Sequence, residues 1–421
     1  FQHRMIGLEV ANGILGTSVT WTEFERQLRS ALGTEARLGP NKSVIDIGEG
    51  NGYASCCGLV TCDWQGATTG EKLPLSVVIK IPSIIPLKRV NDALPEGQKW
   101  FDYDEEGWAG QERQLINIHN TEVATYKFFE EFEGLKIPSM FFGKAALGDE
   151  KDGLMCLEYI KNTSTMSFHE KNSVDQVKQI ARALGKIQAC SLKKENTASE
   201  LQKDMFKNMA ESFPLDTFHS MFNGILAIDK SEKTKDFLEK IEPLVDKYYG
   251  SNLPTTIHRQ MEFRPVLVNG DLHTGNVLID KDTGDLAALI DWQETHFGVG
   301  VEDLHRLALS ALTTEQRRAS MPILIEEMYE SLVENLDGVE SPYTLEILLH
   351  ISDLLYPQCA FYLASGAIAM LTKTSEDTKL TETDKAARVE VMLDKIIGTL
   401  EDIVVADENN KKHMENLKLI D

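Results

Sequence analysis

The chain has 421 residues, 42% of them hydrophobic and 26% charged, a globular composition too long for one ordinary core, so two substantial lobes are expected. Its formal net charge of −23 repels phosphate backbones and anionic headgroups, which makes nucleic acid and membranes poor partners. An anionic substrate would need a local site that overcomes this field, through a helix N-terminus, a lysine or a metal ion.

Phe1-Gln2-His3-Arg4 ahead of Met5 reads as the remnant of a protease site and is set aside. No cationic start followed by an apolar stretch is seen there, so no secretory signal is expected. Trp21 to Leu32 has helical periodicity, with Thr20 and Glu23 spaced as a capping box and Gly33 as a stop. SVIDIGEGNGYASCCGLVTCDW, Ser43 to Trp64, places alternating β-branched residues on both sides of a Gly-rich turn and reads as a hairpin. LSVVIKIP after Pro74 is a short buried strand carrying Lys80. Arg89 to Glu112 is polar, aromatic and Gly-containing, an insertion with some helix, and LINIHNTEVATYKFFEEFEGL resumes helical periodicity. IPSMFFGKAAL and GLMCLEYI read as two strands around a GDEKDG turn.

Beyond Lys161 the pattern is mostly helical: Val174 to Ser191, Ser199 to Met209, Leu215 to Tyr249, Asp303 to Leu312, Glu315 to Leu336, Tyr343 to Leu371 and Glu382 to Val405. The longest apolar run, Cys359 to Leu371, falls short of the ~20 residues a bilayer span needs and reads as a core helix. Six cysteines, Cys56, Cys57, Cys62, Cys156, Cys190 and Cys359, include no C-x-x-C pair, which fits reduced thiols in a cytoplasmic protein. The histidines show no H-E-x-x-H and no zinc spacing. The expected organisation is a small β-rich lobe over 5–160, a hinge near Glu158-Tyr159-Ile160 and a larger helical lobe over 161–421, sharing a cleft because no long linker separates them.

The exception inside the helical half is VLVNGDLHTGNVLID, Val266 to Asp280, followed by DLAALIDW. Apolar strands here display a polar loop. Asp271, Asn276 five residues on, and Asp291 on the next strand are the arrangement phosphoryl transfer from a metal-bound nucleotide needs. Asp271 would accept or orient the proton of an attacking hydroxyl. Asn276 and Asp291 offer the hard oxygen ligands that Mg²⁺ requires. Asp-x₄-Asn alone is short, and a plain turn would produce it too. Lys80 would contact the α/β-phosphates of ATP, and because a lysine buried unpaired costs several kcal/mol, an anionic partner is expected. Glu122 is that partner, with Glu112 as runner-up. Gly48, Gly50 and Gly52 would let backbone N–H groups approach phosphate, although an ordinary hairpin turn reads the same way. Glu158, Tyr159 and Ile160 would offer backbone hydrogen bonds to adenine.

NGDLHTGNVL followed by ALIDWQETHFGVGVEDLHRL resembles the phosphotransferase motif of the aminoglycoside phosphotransferase and choline kinase superfamily. Within it, NTEVATYKFF, the GNGYAS turn and the long lysine-to-glutamate spacing look most like the ecdysteroid-kinase-like (CHK kinase-like) family, over roughly Val44 to Leu371. The resemblance implies an α+β, protein-kinase-like bilobal fold, ATP with Mg²⁺, and phosphorylation of a small-molecule hydroxyl. One departure is Asn269, where the superfamily usually has histidine; asparagine supplies a hydrogen bond but less packing. Asp291 and Asp303 are only 303 − 291 = 12 steps apart, too few for a peptide-docking activation segment, which favours a small substrate. Asp303 is expected to stabilise the start of the next helix. His273 is read as a loop hydrogen-bonding residue or a phosphate contact, and Glu294 as an accessory acid. Trp292, Phe297, Tyr356, Phe361 and Tyr362 are read as core rather than as an acceptor cage. A choline- or ethanolamine-type kinase, and a pseudokinase or ligand-binding module, are the alternatives.

Overall fold

The computed structural model describes residues 12–48, 54–93, 103–147, 153–194 and 215–414. By its internal contacts the chain divides into two units, Phe1–Glu133 with Ile137–Lys161, and Gly134–Lys136 with Asn162–Asp421. The class is α+β, with a β-rich first unit and a larger, mostly helical second unit.

The first unit is built on an antiparallel sheet whose strands run, in spatial order, Ser43–Asp46, Ser55–Thr61, Ser76–Pro82, Leu154–Glu158 and Met140–Lys144. Period-two alternation divides its residues between two faces. Val60, Val77, Ile79, Ile81, Leu154 and Cys156 form a core with Phe24 and Leu28 of the Trp21–Leu32 helix. That helix starts where Thr20 Oγ1 accepts from Glu23 N at 3.2 Å and stops at Gly33, φ 63°. Only half of the capping box forms: the Glu23 carboxylate turns forward to Arg26 and Gln27. Arg89 to Glu112 holds more helix than its composition suggests. Ile85–Ala93 is helical, and the next helix begins at Glu105, where the Asp104 carboxylate accepts from Gly107 N. It continues to Phe129.

In the second unit the Val174–Lys193 and Thr314–Glu334 helices pack closely at Gly185, where a Cβ would lie 2.1 Å from the Met328 carbonyl oxygen. The stretch expected as one helix from Leu215 to Tyr249 is two, Leu215–Ile228 and Glu232–Tyr248. Ser231 interrupts it by capping the second helix at Thr234 N, and Thr234 Oγ1 donates back to Asp229 at 2.6 Å. A short helix at Leu253–Gln260 carried no sequence signal that was read. The segment Ser199 to Met209 lies outside the described residues. Leu345–Glu376 is long and apolar enough to cross a membrane by length and composition, but 71% of its apolar window is buried within the protein.

Two small antiparallel ladders interrupt the helices. Thr163–Thr165, Val277–Asp280 and Leu286–Leu289 form one; Val266–Val268 and His296–Gly298 form the other. Their strands are short and, apart from the mostly exposed Thr163–Thr165, largely buried, and the loops between them carry the polar residues.

Candidate active site

Two sets of side chains stand out, one in each unit. In the first, Lys80 lies on the Ser76–Pro82 strand, and alternation sends Val77, Ile79 and Ile81 into the core and Lys80 to the opposite face. Its neighbours across the ladder are Cys57 and Met155. Lys80 is 8% exposed, and its Nζ meets Glu122 Oε2 at 2.6 Å. Glu122 belongs to the buried stripe Leu115, Ile118, Glu122, Tyr126, Phe129, spaced three or four apart. A carboxylate in the middle of an apolar stripe needs a cation, and Lys80 is that cation. Glu112 is buried on the same helix, about 15 Å of helix rise away.

Gly48 N donates to Asp46 Oδ1, and a Cβ at Gly48 would come within 3.3 Å of Cys57 Cβ, so the hairpin is tight there. Gly50 and Gly52 lie outside the described residues. At the end of the Leu154–Glu158 strand, Glu158 N donates to the Ser139 carbonyl at 2.8 Å, and the exposed Glu158 carboxylate accepts from Ser139 N. The Glu158 amide is therefore committed within the sheet. Tyr159 and Ile160 follow it, both half-buried.

In the second unit the Val266–Val268 strand delivers the chain to Asn269-Gly270-Asp271. Asn269 is fully buried. Its Oδ1 accepts from Asp271 N at 3.1 Å and its Nδ2 donates to the Asp291 carbonyl at 3.0 Å, so one side chain ties together the two loops that carry the acids. The position where a histidine would give more packing is thus closed by two hydrogen bonds. Gly270 has φ 85°, and a Cβ there would be 2.2 Å from the Glu294 carbonyl oxygen. Only glycine allows that approach. Asn276 ends the short turn Thr274–Asn276, and its Nδ2 donates to the Asp271 carbonyl at 2.8 Å. Asp291 has φ 61°, a left-handed conformation that costs a non-glycine residue about 1–2 kcal/mol.

The helix Val301–Ala311 holds this loop from behind. Asp303, buried, accepts from Asn269 N at 2.7 Å and Gly270 N at 3.0 Å. Ser310, 310 − 303 = 7 residues on and so on the same helix face, accepts from Thr274 N at 3.1 Å. Asp303 does sit in the first turn, but its carboxylate is committed to the loop amides rather than to its own helix. Burial, then the Glu302 charge, push its pKa up to about 6 against those two amides. Beneath lies a second buried group that the sequence reading passed over. His296 meets Glu302 at 3.2 Å, Glu302 meets Arg306 at 3.1 Å, and His296 Nδ1 lies 2.9 Å from the Glu294 carbonyl. Burial disfavours charged His296, yet Glu302 raises its pKa above the ordinary range; Glu302 is held below its own by His296 and Arg306 against the same burial. The half-buried Glu294 is pushed up to about 7 by burial, then by the charges of Asp271 and Asp291.

Among the described residues, no three His, Cys, Asp or Glu side chains converge as a metal cage. Trp292, Tyr356, Phe361 and Tyr362 are core residues, and Phe297 is half-buried.

A curated relative, the uncharacterized kinase-like protein D1044.1 of Caenorhabditis elegans, is 23% identical over 372 residues, covering 86% of this chain and 93% of that protein. The uncharacterized oxidoreductase dhs-27 of the same organism is 20% identical over 287 residues, which cover 65% of this chain and only 33% of that protein. Among solved structures, a choline kinase from Cryptosporidium parvum covers 89% of this chain and 90% of its own at 10% identity, with a TM-score of 0.44. A family model, DUF1679, described as uncharacterized oxidoreductase dhs-27, matches residues 8–411, and the chain belongs to that family.

Proposed function

We propose that the protein is an ATP- and Mg²⁺-dependent phosphotransferase that phosphorylates a hydroxyl of a small molecule. The observation that carries this reading is Asn269: by bonding both Asp271 N and the Asp291 carbonyl, it makes the proposed base and the proposed metal ligand parts of one rigid arrangement. Such pre-organisation is how phosphoryl transfer is accelerated, since there is little covalent chemistry for the protein to perform.

Asp271 takes or orients the acceptor proton while the hydroxyl oxygen bonds to the γ-phosphorus and the bond to the ADP oxygen breaks. Lys80, held by Glu122, supplies an ammonium for the α/β-phosphates. Asn276 and Asp291 would hold Mg²⁺, which neutralises phosphate charge when bound. The donor set fits. The Asn276 amide nitrogen is occupied by the Asp271 carbonyl, which leaves its oxygen as the ligand atom. Two oxygen side chains without a complete protein cage are what Mg²⁺ uses when phosphates and waters fill the remaining positions. Tyr159, Ile160 and the Gly48 hairpin are the residues we assign to the nucleotide; the committed amide of Glu158 leaves it only its carbonyl.

The acceptor we favour is an ecdysteroid-like or other alcohol, after the CHK kinase-like resemblance. A choline-type acceptor is less supported, because two of the rings that might cage an ammonium already face protein cations. Arg306 lies 4.5 Å from the Tyr362 ring centroid, and Arg317 donates to the Tyr356 hydroxyl. The word oxidoreductase in the family description belongs to a protein of which the match spans a third, whereas the kinase-like relative is matched over nearly its whole length. We assign the enzyme to the cytoplasm, consistent with six cysteines outside any disulfide.

The test is a thermal-shift titration. ATP with Mg²⁺ should raise the midpoint, and Asp291→Ala should remove the metal-dependent part. No shift at saturating nucleotide would favour a module without turnover.

A further inference from the structure

Between the proposed base and the proposed metal ligand sits a histidine whose ring is fixed by its own loop. His273 begins the turn Thr274–Asn276, and its Nδ1 accepts from Gly275 N at 3.1 Å. A Cβ on residue 275 would lie 2.8 Å from His273 Cε1 and 3.1 Å from Nδ1, so a glycine is what lets the ring lie flat against the backbone. A ring nitrogen that accepts cannot carry the hydrogen, so neutral His273 is the Nε2–H tautomer. That Nε2 is 3.9 Å from Asp271 Oδ2. The side chains are 36% and 38% exposed, open enough for a substrate to reach Asp271.

We propose that His273 is the positioning residue for Asp271. Its Nε2–H holds Oδ2 and turns Oδ1 toward the acceptor hydroxyl. This inference rests on the phosphotransferase reading. The present separation is longer than a hydrogen bond and closes by about 1 Å on loading, as catalytic hydrogen bonds in free enzymes commonly do. No proton leaves His273: the acceptor proton goes to Asp271.

The ring offers two separable functions. Asparagine reproduces the Nδ1 position, which accepts from Gly275 N. Glutamine reproduces the Nε2 position, which reaches Asp271. The probe is ATP with Mg²⁺ alone, followed as ADP release with water as acceptor. His273→Asn should lower kcat about tenfold or more, with KM for ATP and the melting midpoint unchanged. His273→Gln should retain more activity than His273→Asn. In an Asp271→Asn background, His273→Asn should cause no further loss, because the two residues act as a unit.

A raised KM with kcat intact would mean that the ring touches phosphate, and would overturn the proposal. Asparagine equal to or better than glutamine would reduce His273 to a cap for Gly275, with the same result. Wild-type turnover unchanged by His273→Asn removes this inference alone, whereas no nucleotide binding by the wild type removes the functional reading beneath it. A readout independent of turnover is the nitrogen spectrum of the free protein. It should show the Nε2–H tautomer at His273 and a ring shift on Asp271→Asn; the Nδ1–H tautomer contradicts the proposal.

Discussion

In the first unit, buried charge meets buried charge side chain to side chain: Lys80 on Glu122 at 2.6 Å. In the second, a buried carboxylate is given over to backbone, with Asp303 accepting from Asn269 N and Gly270 N. The difference separates two uses of an ion. An ammonium paired through a movable side chain can exchange part of that pairing for a phosphate oxygen. A carboxylate bound to two loop amides cannot leave without releasing the loop, so it acts as scaffold. The left-handed Asp291 and the close approach at Gly270 are conformations which that scaffold sustains.

Substitutions should expose the contrast. The largest effect is expected for Glu122→Ala, which leaves the Lys80 ammonium without this carboxylate and should destabilise by about 3–5 kcal/mol in chemical denaturation. Replacing both partners, Lys80→Met with Glu122→Leu, should recover most of that stability while losing the nucleotide-dependent thermal shift. If the double variant is no more stable than the single, the loss does not come from stranding the Lys80 ammonium. Asp303→Ala should cost about 2–4 kcal/mol by stranding two buried amides. No second substitution can compensate, since the partners are main chain; recovery by any single apolar neighbour would break the comparison.

Acid should act in each unit through a buried neutral histidine. Burial pushes His119 in the first unit and His305 in the second down to about 4, with the Lys144 carbonyl and the Ser352 carbonyl opposing it respectively. Both folded values lie below the unfolded one, so this stability is complete above about 6.5 and is lost as pH falls toward 4. The loss is about 2–3 kcal/mol per histidine. His119→Gln and His305→Gln should each flatten the difference in stability between pH 6.5 and 4.5, and an unchanged slope in both variants would contradict the buried neutral state. The smallest effect is at Asp291. Asp291→Gly should stabilise by about 1 kcal/mol, by relieving the left-handed backbone, while metal-dependent nucleotide binding disappears. A loss of stability there would mean that the Asp291 side chain supports the fold.

What could be read from the sequence follows from how local each signal is. Lys80 is visible because a lysine interrupts a β-branched run, and Glu122 because an acid interrupts a helical apolar stripe; both anomalies lie within a few residues. The loop of Asp271, Asn276 and Asp291 is visible as polar residues between buried strands. The target of Asp303 was not, because its first-turn position already gave it a sufficient local explanation and its partners are 34 and 33 residues away in sequence. Ser310 had the same disadvantage: its only local signal is the seven-residue spacing from Asp303 on one apolar helix. His296, Glu302 and Arg306 drew no reading from the sequence, although Glu302 and Arg306 are four apart and all three are buried. The break at Asp229 to Ser231 was overlooked because helical periodicity continues through it, while the Ser231 cap depends on a single hydroxyl.

The most direct test of the phosphotransferase reading is transfer of labelled γ-phosphate from ATP with Mg²⁺ into a small-molecule extract, comparing wild type with Asp271→Asn. A labelled compound formed by the wild type and missing from the variant is the predicted result. Identical labelling by both proteins would contradict the account.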